Sequence, residues 1–282
     1  MTVNNVRTRT ERIVHFVVYI VLIGLSVLML VPLAWMLSSA LKPNYEVFQF
    51  PQQWIPHPML WSNFPKALVF VPFGRFFVNT LIITFGTLIG TLVSNVFIAY
   101  AFARLEAPGK RIMFYVMLST MMLPYAITMI PQYAIFSKLG WVNTYWPLIF
   151  PAFFGSPFFI FLLRQFFMGI PRDLEDAAAI DGAGVFRTVL QIIVPLSWPA
   201  LVTVCIFSVQ GSWNDFLAPL IYLNKMSLFT VQLGLTYFVG QYSGGWNLLM
   251  AASTVVLLPI LVMFYFGQRL FVKGIIVGGL KG

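Results

Sequence analysis

The chain has very little charge. Asp, Glu, Lys and Arg together make up only nine per cent of its 282 residues, against sixty per cent hydrophobic ones, and just eight are acidic. A soluble domain keeps about a quarter of its residues charged, so the bilayer takes the place of water as the main solvent. The single cysteine, Cys205, falls inside an apolar run, which rules out an intrachain disulfide and a cysteine-based metal centre. The two histidines, His15 and His57, lie in different regions with no ligand spacing between them. No GxxxxGK[ST] phosphate loop occurs, because Gly109-Lys110 is followed by Arg111 and lacks the upstream glycine. No enzyme site assembles from these residues. If the chain works with ATP, another chain must hydrolyse it. The apolar runs are almost free of ionisable groups, which argues against a self-sufficient channel or secondary carrier that would keep coupling charges inside its spans.

What the chain has instead is apolar length. About 20 apolar residues cross ~30 Å of hydrocarbon as a helix, and six runs qualify, at about 13–37, 76–102, 112–135, 146–167, 189–217 and 248–271. This predicts an all-α integral membrane protein of one membrane domain, 1–282, with no soluble domain. Arg7, Arg9 and Arg12 before the first run imitate a secretory signal, but its apolar part exceeds a signal core of ~7–15 residues, so a retained span is expected. Prolines 43, 51, 56, 58, 65 and 72 break any long helix in the loop that follows. Gly86 and Gly90 in the second span form a GxxxG, read as close packing within the chain. Pro124 and Pro131 predict a kinked or broken third span, a candidate cavity wall. Pro195 and Pro199 fall in the fifth, and the stretch from Ala218 to Asn247 reads as a loop.

Six spans put both termini on one side. Twelve of the seventeen Lys and Arg residues lie on that side, and Lys42, Lys66, Arg75, Lys138 and Lys225 lie on the other. The positive-inside rule then places both termini in the cytoplasm, and with them the one charged island, 172–187. Four of the eight acids, Asp173, Glu175, Asp176 and Asp181, gather there around three alanines. A short surface helix is expected. Asp173 suits its N-cap with Asp176 three residues on, the acids suit the positive end of the dipole, and Gly182 allows a left-handed stop. Leu174, Ala177 and Ala178 fall on one face of low relief, with carboxylates beside it for arginines on another surface. The plainer alternative is a solvated connector. Asp215, near the end of the fifth run, reads as a carboxylate capping local backbone at the interface.

The segment Leu174-Glu175-Asp176-Ala177-Ala178-Ala179-Ile180-Asp181-Gly182-Ala183, followed by Val194-Pro195-Leu196, resembles the EAA loop of bacterial ABC importer permeases, more narrowly of MalG-like carbohydrate permeases. Two further motifs agree, Trp213-Asn214-Asp215-Phe216-Leu217-Ala218-Pro219-Leu220 and the tail Gly274 to Gly282. The resemblance implies the type I ABC importer permease fold, six transmembrane helices with a cytoplasmic coupling helix, in a bacterial or archaeal cytoplasmic membrane. It implies a second homologous permease, an ATP-binding subunit dimer that alone holds ATP and Mg, an extracytoplasmic solute-binding protein and a sugar substrate. Nucleic acid has no place in it. Glu175, Asp176, Ala177, Ala178, Asp181 and Gly182 become ATPase-coupling residues, with Asp176 where the family has glutamate and Glu175 able to share its role. Lys281 becomes a possible ATPase contact. Asn95, Tyr125, Trp213 and Asn214 are candidate cavity residues, because sugars need hydrogen-bonding side chains and flat aromatic faces. An ABC permease for a phosphate ester or peptide shares every coupling feature and is the runner-up.

Overall fold

The structure, a computed structural model, describes residues 9–239 and 245–279, with side chains for 13–239 and 245–268. Lys281 lies outside the described residues. Helix is the dominant structure, and no strand occurs among the described residues. Fourteen α-helical segments follow in order: α1 (Arg9–Ala40), α2 (Asn63–Phe70), α3 (Phe73–Arg104), α4 (Lys110–Ser119), α5 (Tyr125–Lys138), α6 (Trp146–Ile149), α7 (Pro157–Met168), α8 (Asp173–Ile180), α9 (Val185–Thr188), α10 (Val194–Leu196), α11 (Trp198–Trp213), α12 (Leu217–Tyr222), α13 (Val231–Leu235) and α14 (Trp246–Gly279). Among the described residues, four segments are long and apolar enough to cross a membrane, Ile13–Ala40, Phe73–Arg104, Trp146–Met168 and Trp246–Gln268. The total is six when each of two bent pairs is counted as one span. The third is Lys110–Met122 with Tyr125–Lys138, bent by 100°, and the fifth is Val185–Leu196 with Trp198–Trp213, bent by 84°.

The described residues gather into two compact units, one drawn from the stretches up to Phe70 and from Tyr237 to Val255, the other from Val71–Thr236 and from Val256 onward. In the first, α1 is predominantly apolar and exposed from Ile13 to Pro32, as expected of a helix with apolar surroundings, and only its end, Ser38 to Ala40, is buried. Its C-terminal carbonyls have no partner within the helix. Asn63 at the start of α2 supplies one, its amide donating to the carbonyls of Ala40 at 2.8 Å and Lys42 at 2.9 Å. Asn247 in α14 donates to the Lys42 carbonyl as well, at 3.1 Å. The proline-rich loop therefore closes on the end of the first span through hydrogen bonds to its backbone.

In the second unit α3 is the axis. Its apolar face packs with α7, the π turn Val189–Ile193 and α11 into one core, which includes Val96, Ala99, Leu163, Phe167, Val189 and Val204. The fourth span is no continuous helix. Pro147, Pro151 and Gly155 divide it into α6, the 3₁₀ turn Phe150–Phe154 and α7, so backbone groups are freed inside an apolar layer. Polar side chains on α3 take them up. Thr87 donates to Leu148 O at 3.3 Å, Ser94 donates to Ala152 O at 2.8 Å, and Asn95 Oδ1 accepts from Ser156 N at 2.8 Å. The GxxxG glycines serve the same crossing. A Cβ at Gly86 would lie 2.9 Å from Ile149 Cδ1, and one at Gly90 would lie 2.6 Å from Phe153 Cδ2. The close packing expected of Gly86 and Gly90 is thus made within the chain.

The stretch after Asp215 departs from the expected loop. It folds into α12, a 3₁₀ turn Met226–Leu228 and α13, held to α3 by Asn79, whose amide donates to Ser227 O at 3.0 Å and Phe229 O at 2.9 Å, and by Thr80, whose hydroxyl accepts from Val231 N at 2.9 Å. Pattern alone could not find these helices, because six- and five-residue segments are too short to display a period.

Candidate functional site

The charged island folds as an eight-residue helix, α8, with its three acids Asp173, Glu175 and Asp176 in the first turn. Asp173 is not the cap. Arg172 holds the N-cap position and no side chain caps the helix, so the helix dipole and solvent carry that end. At the other end the expected left-handed stop is present at Gly182, with φ +77°. Gly182 N donates to Ala179 O at 3.0 Å and Ala183 N donates to Ala178 O at 2.9 Å, the paired bonds of a Schellman closure. Nothing lies within 4 Å of where a Gly182 Cβ would stand, so this chain requires glycine there for its backbone conformation alone.

The helix presents two faces of opposite use. Glu175 and Ala178, three residues apart, turn toward the chain's own core; Ala178 is buried, and the Glu175 side chain is 14% exposed. Glu175 Oε2 accepts from the hydroxyl of Tyr100 at 2.8 Å, and Oε1 lies 2.6 Å from Arg104 Nε. The Arg104 approach is off the hydrogen-bond axis, so it is a pairing of charges, while the Arg104 Nη2 donates to Ile170 O at 2.5 Å. Tyr100 and Arg104 are one turn apart on the last turns of α3. This is the only ion pair among the described residues. Asp173, Leu174, Asp176, Ala177, Ile180 and Asp181 are exposed. The low-relief face expected from Leu174, Ala177 and Ala178 is therefore split, because Ala178 packs inward. Glu175, expected to be available to a partner beside Asp176, is already engaged by its own chain. Sequence reasoning missed Tyr100 and Arg104, which lie 75 and 71 positions away and carry no local signal. Ile180, with 87% of its surface exposed, was also missed; a large apolar side chain on a short acidic helix was the available hint.

The four candidate cavity residues are not brought together. Asn95 is buried, with Oδ1 accepting from Ser156 and its amide donating to Thr91 O at 2.6 Å, so it closes the broken fourth span. Trp213 is 2% exposed, donates its indole N–H to Val256 O at 3.1 Å and meets Phe77 edge-on, which makes it a packing residue. Asn214 is exposed and accepts from Gln232 Nε2 at 3.2 Å. Tyr125 lines a cavity of about 390 Å³. It shares that cavity with Gln132, Pro147, Asp215 and Tyr222, whose buried hydroxyl has no hydrogen-bond partner among the described residues. The cavity forms where the third span, expected as a cavity wall, breaks at Pro124 and where the fifth ends. Its lining residues Gln132, Asp215 and Tyr222 went unforeseen.

Asp215 stands just beyond α11. Its Oδ1 accepts from Ala218 N at 3.2 Å, the local capping expected of it. Burial pushes its carboxyl above the ordinary value, against the opposing pull of the Ala218 and Leu217 N–H groups. The folded state then holds the proton more tightly than the unfolded one, so stability is highest below the ordinary carboxylate value and declines as pH rises through the raised one. Asp215→Asn should flatten that decline and be at least as stable at neutral pH, measured by melting the detergent-solubilised chain from acid to neutral pH.

Known proteins agree with this architecture. Residues 95–277, which contain α8 and its stop, match the family model described as binding-protein-dependent transport system inner membrane component. The chain is 35% identical to the probable ABC transporter permease protein YurM of Bacillus subtilis over 256 residues, covering 89% of this chain and 83% of that one. It is 33% identical to the arabinooligosaccharides transport system permease protein AraQ of the same organism over 261 residues, with 92% of each covered. A chain from the crystal structure of a bacterial ABC transporter involved in the import of the acidic polysaccharide alginate superposes with a TM-score of 0.81 at 21% identity, covering 94% of this chain and 99% of that one, and so shares the fold. A multi-pass helical chain with this match over most of its length belongs to the family of inner membrane components of binding-protein-dependent transport systems, the permeases of ABC transporters.

Proposed function

We propose that the chain is the permease subunit of an ATP-driven importer of sugars or oligosaccharides, delivered by an extracytoplasmic binding protein. The observation that carries this reading is α8: a helix with one exposed face of Asp173, Asp176, Ala177 and Ile180 and one inward face tied through Glu175 to the end of the axial helix α3. A push on the exposed face passes through the pair to α3 and from there to the core. An ATPase dimer supplies the push, since no phosphate loop occurs in the sequence. Asp176 and Asp181 pair with basic groups of that subunit, and Gly182 keeps the closing turn free of a side chain. The charge asymmetry of the loops supports a cytoplasmic position for α8 and both termini. A second permease of like fold completes the path, which alternates between two accesses as the ATPase closes and opens. The arabinooligosaccharide and alginate systems among the similar proteins support a carbohydrate as substrate. The cavity of Tyr125, Gln132, Asp215 and Tyr222 offers it two phenolic rings and several hydrogen-bonding groups.

The test uses the complex that co-purifies with the tagged chain. Gly182→Asn keeps the left-handed turn, because asparagine adopts it readily, and adds a side chain only to the outer surface. Asp176→Lys reverses an exposed charge. Both variants should fold and melt like the natural chain while losing the acceleration of ATP hydrolysis by sugar-loaded binding protein. Unchanged stimulation in both would make α8 a plain connector. Transport by the chain alone in liposomes, without ATP, would overturn the reading altogether.

A further inference from the structure

Three cations that the coupling machinery does not use converge on one cavity. Lys110, Arg111 and Arg164 line a cavity of about 470 Å³ between the N-terminus of α4 and the body of α7. Each spends part of its donor capacity on its own chain. Lys110 Nζ donates to Leu105 O at 2.5 Å, Arg164 Nε donates to Phe102 O at 3.1 Å with its guanidinium 4.3 Å from the Phe114 ring centre, and Arg111 lies 5.7 Å from that of Tyr115. None has a carboxylate, because the Arg104–Glu175 pair is the only one among the described residues and no acid lines the cavity. The remaining guanidinium and ammonium N–H groups therefore form a cluster of positive charge with no carboxylate among the residues that line the cavity. The N-terminus of the ten-residue α4 adds to it, since Gly109 holds the N-cap position and no side chain caps the helix.

Three like charges around one cavity repel each other, and an anion relieves that cost. The apolar surroundings say which anion. Apart from Gln165, the other walls are apolar or aromatic, with Phe102, Phe114, Tyr115 and Phe161 among them, and α4 continues from the cavity with Ile112, Met113 and Val116 exposed along a membrane-spanning segment. A free phosphate would use the cations and leave the aromatic wall bare. A phospholipid uses both, with its phosphate on the basic cluster and its acyl chains along α4. Basic pockets between spans are the usual seats of anionic headgroups, worth about fivefold in affinity for each Lys or Arg near the surface.

We infer that the Lys110, Arg111 and Arg164 cavity binds the phosphate of an anionic membrane phospholipid. The inference is independent of the proposed substrate and of the partner of α8. To test it, the complex containing this chain is reconstituted in equimolar phosphatidylcholine and phosphatidylglycerol, extracted gently, and its retained lipids are weighed by native mass spectrometry. The natural chain should retain phosphatidylglycerol over phosphatidylcholine. Arg111→Gln and Lys110→Gln should each lower that preference by about fivefold, and Arg111→Lys should restore most of it. Arg111 is exposed, so its substitution leaves the fold intact; a melting temperature equal to that of the natural chain checks this. A preference unchanged in both glutamine variants overturns the inference. So does binding of inorganic phosphate by a complex that shows no preference between the two lipids, which would assign the site to a free anion.

Discussion

Arg104→Met should destabilise the chain by about 3–5 kcal/mol, the usual cost of leaving one partner of a buried ion pair without the other. The Glu175 carboxylate would remain at the end of the core with the Tyr100 hydroxyl as its one side-chain partner, and the Ile170 carbonyl would lose its Arg104 donor. Melting of the detergent-solubilised chain measures the loss. Replacing Tyr100, Arg104 and Glu175 together with Phe, Met and Leu should recover most of it, because a buried pair and apolar residues of similar volume are often nearly equal in stability. That triple variant also separates anchoring from folding. It is expected to fold, yet to transmit less from the ATPase, since apolar contacts slide where a charged fork holds α8 in register with α3. Full substrate-stimulated hydrolysis in a stable triple variant would show that backbone connection alone carries the movement. A triple variant as unstable as Arg104→Met would refute the exchange of a buried pair for apolar packing at this position.

Gly234→Ala should be nearly as damaging, though it adds a single methyl group to a helix. On propensity alone alanine gains about 1 kcal/mol over glycine within a helix. Packing decides the sign. A Cβ at Gly234 would enter the space of the Phe76 ring, which is fully buried and lies 6.1 Å from the Phe229 ring centre, and so has nowhere to go. Forcing extra volume into a closed core costs about 1–3 kcal/mol, occasionally more, and the buried ring puts Gly234 at the upper end. The effect should appear as a lower melting temperature and as poorer accumulation of folded protein in the membrane. Phe76→Leu makes room, so the double variant should be less destabilised than the sum of the two single changes. Strict additivity would mean that the methyl group and the ring do not meet.

Both expectations concern α3, and that helix shows why a chain so apolar still has one arrangement. In hydrocarbon, apolar faces scarcely distinguish one neighbour from another, so helix association relies on close packing and interhelical hydrogen bonds. Seven polar residues of α3, namely Asn79, Thr80, Thr87, Ser94, Asn95, Tyr100 and Arg104, each meet a backbone group or charge on a later segment. They fix register along the whole helix. The breaks in the fourth span are tolerated because these groups satisfy what the prolines free.

The membrane class, the apolar spans, the interruption of the third and fifth and the turn at Gly182 were all legible in the sequence, because each depends on composition or on a conformation set within a few residues. Proline at 124 and 195 disfavours a straight helix wherever the chain lies, and Gly182 permits a left-handed turn on its own. The family was legible for the same reason, through the local pattern around Asp176 and the motif at Trp213. What the sequence could not decide was which side of each residue is used. Trp213 and Asn95 look like cavity residues by chemistry, yet the tertiary structure spends their polar atoms on Val256 and Ser156. Glu175 and Asp176 are adjacent acids with equal claim to a partner, and only the arrival of Tyr100 and Arg104 turns one inward and leaves the other free. Neighbouring residues on a helix point about 100° apart, so composition sets that α8 is charged, while the packing of α3 against it determines which of its charges remain available.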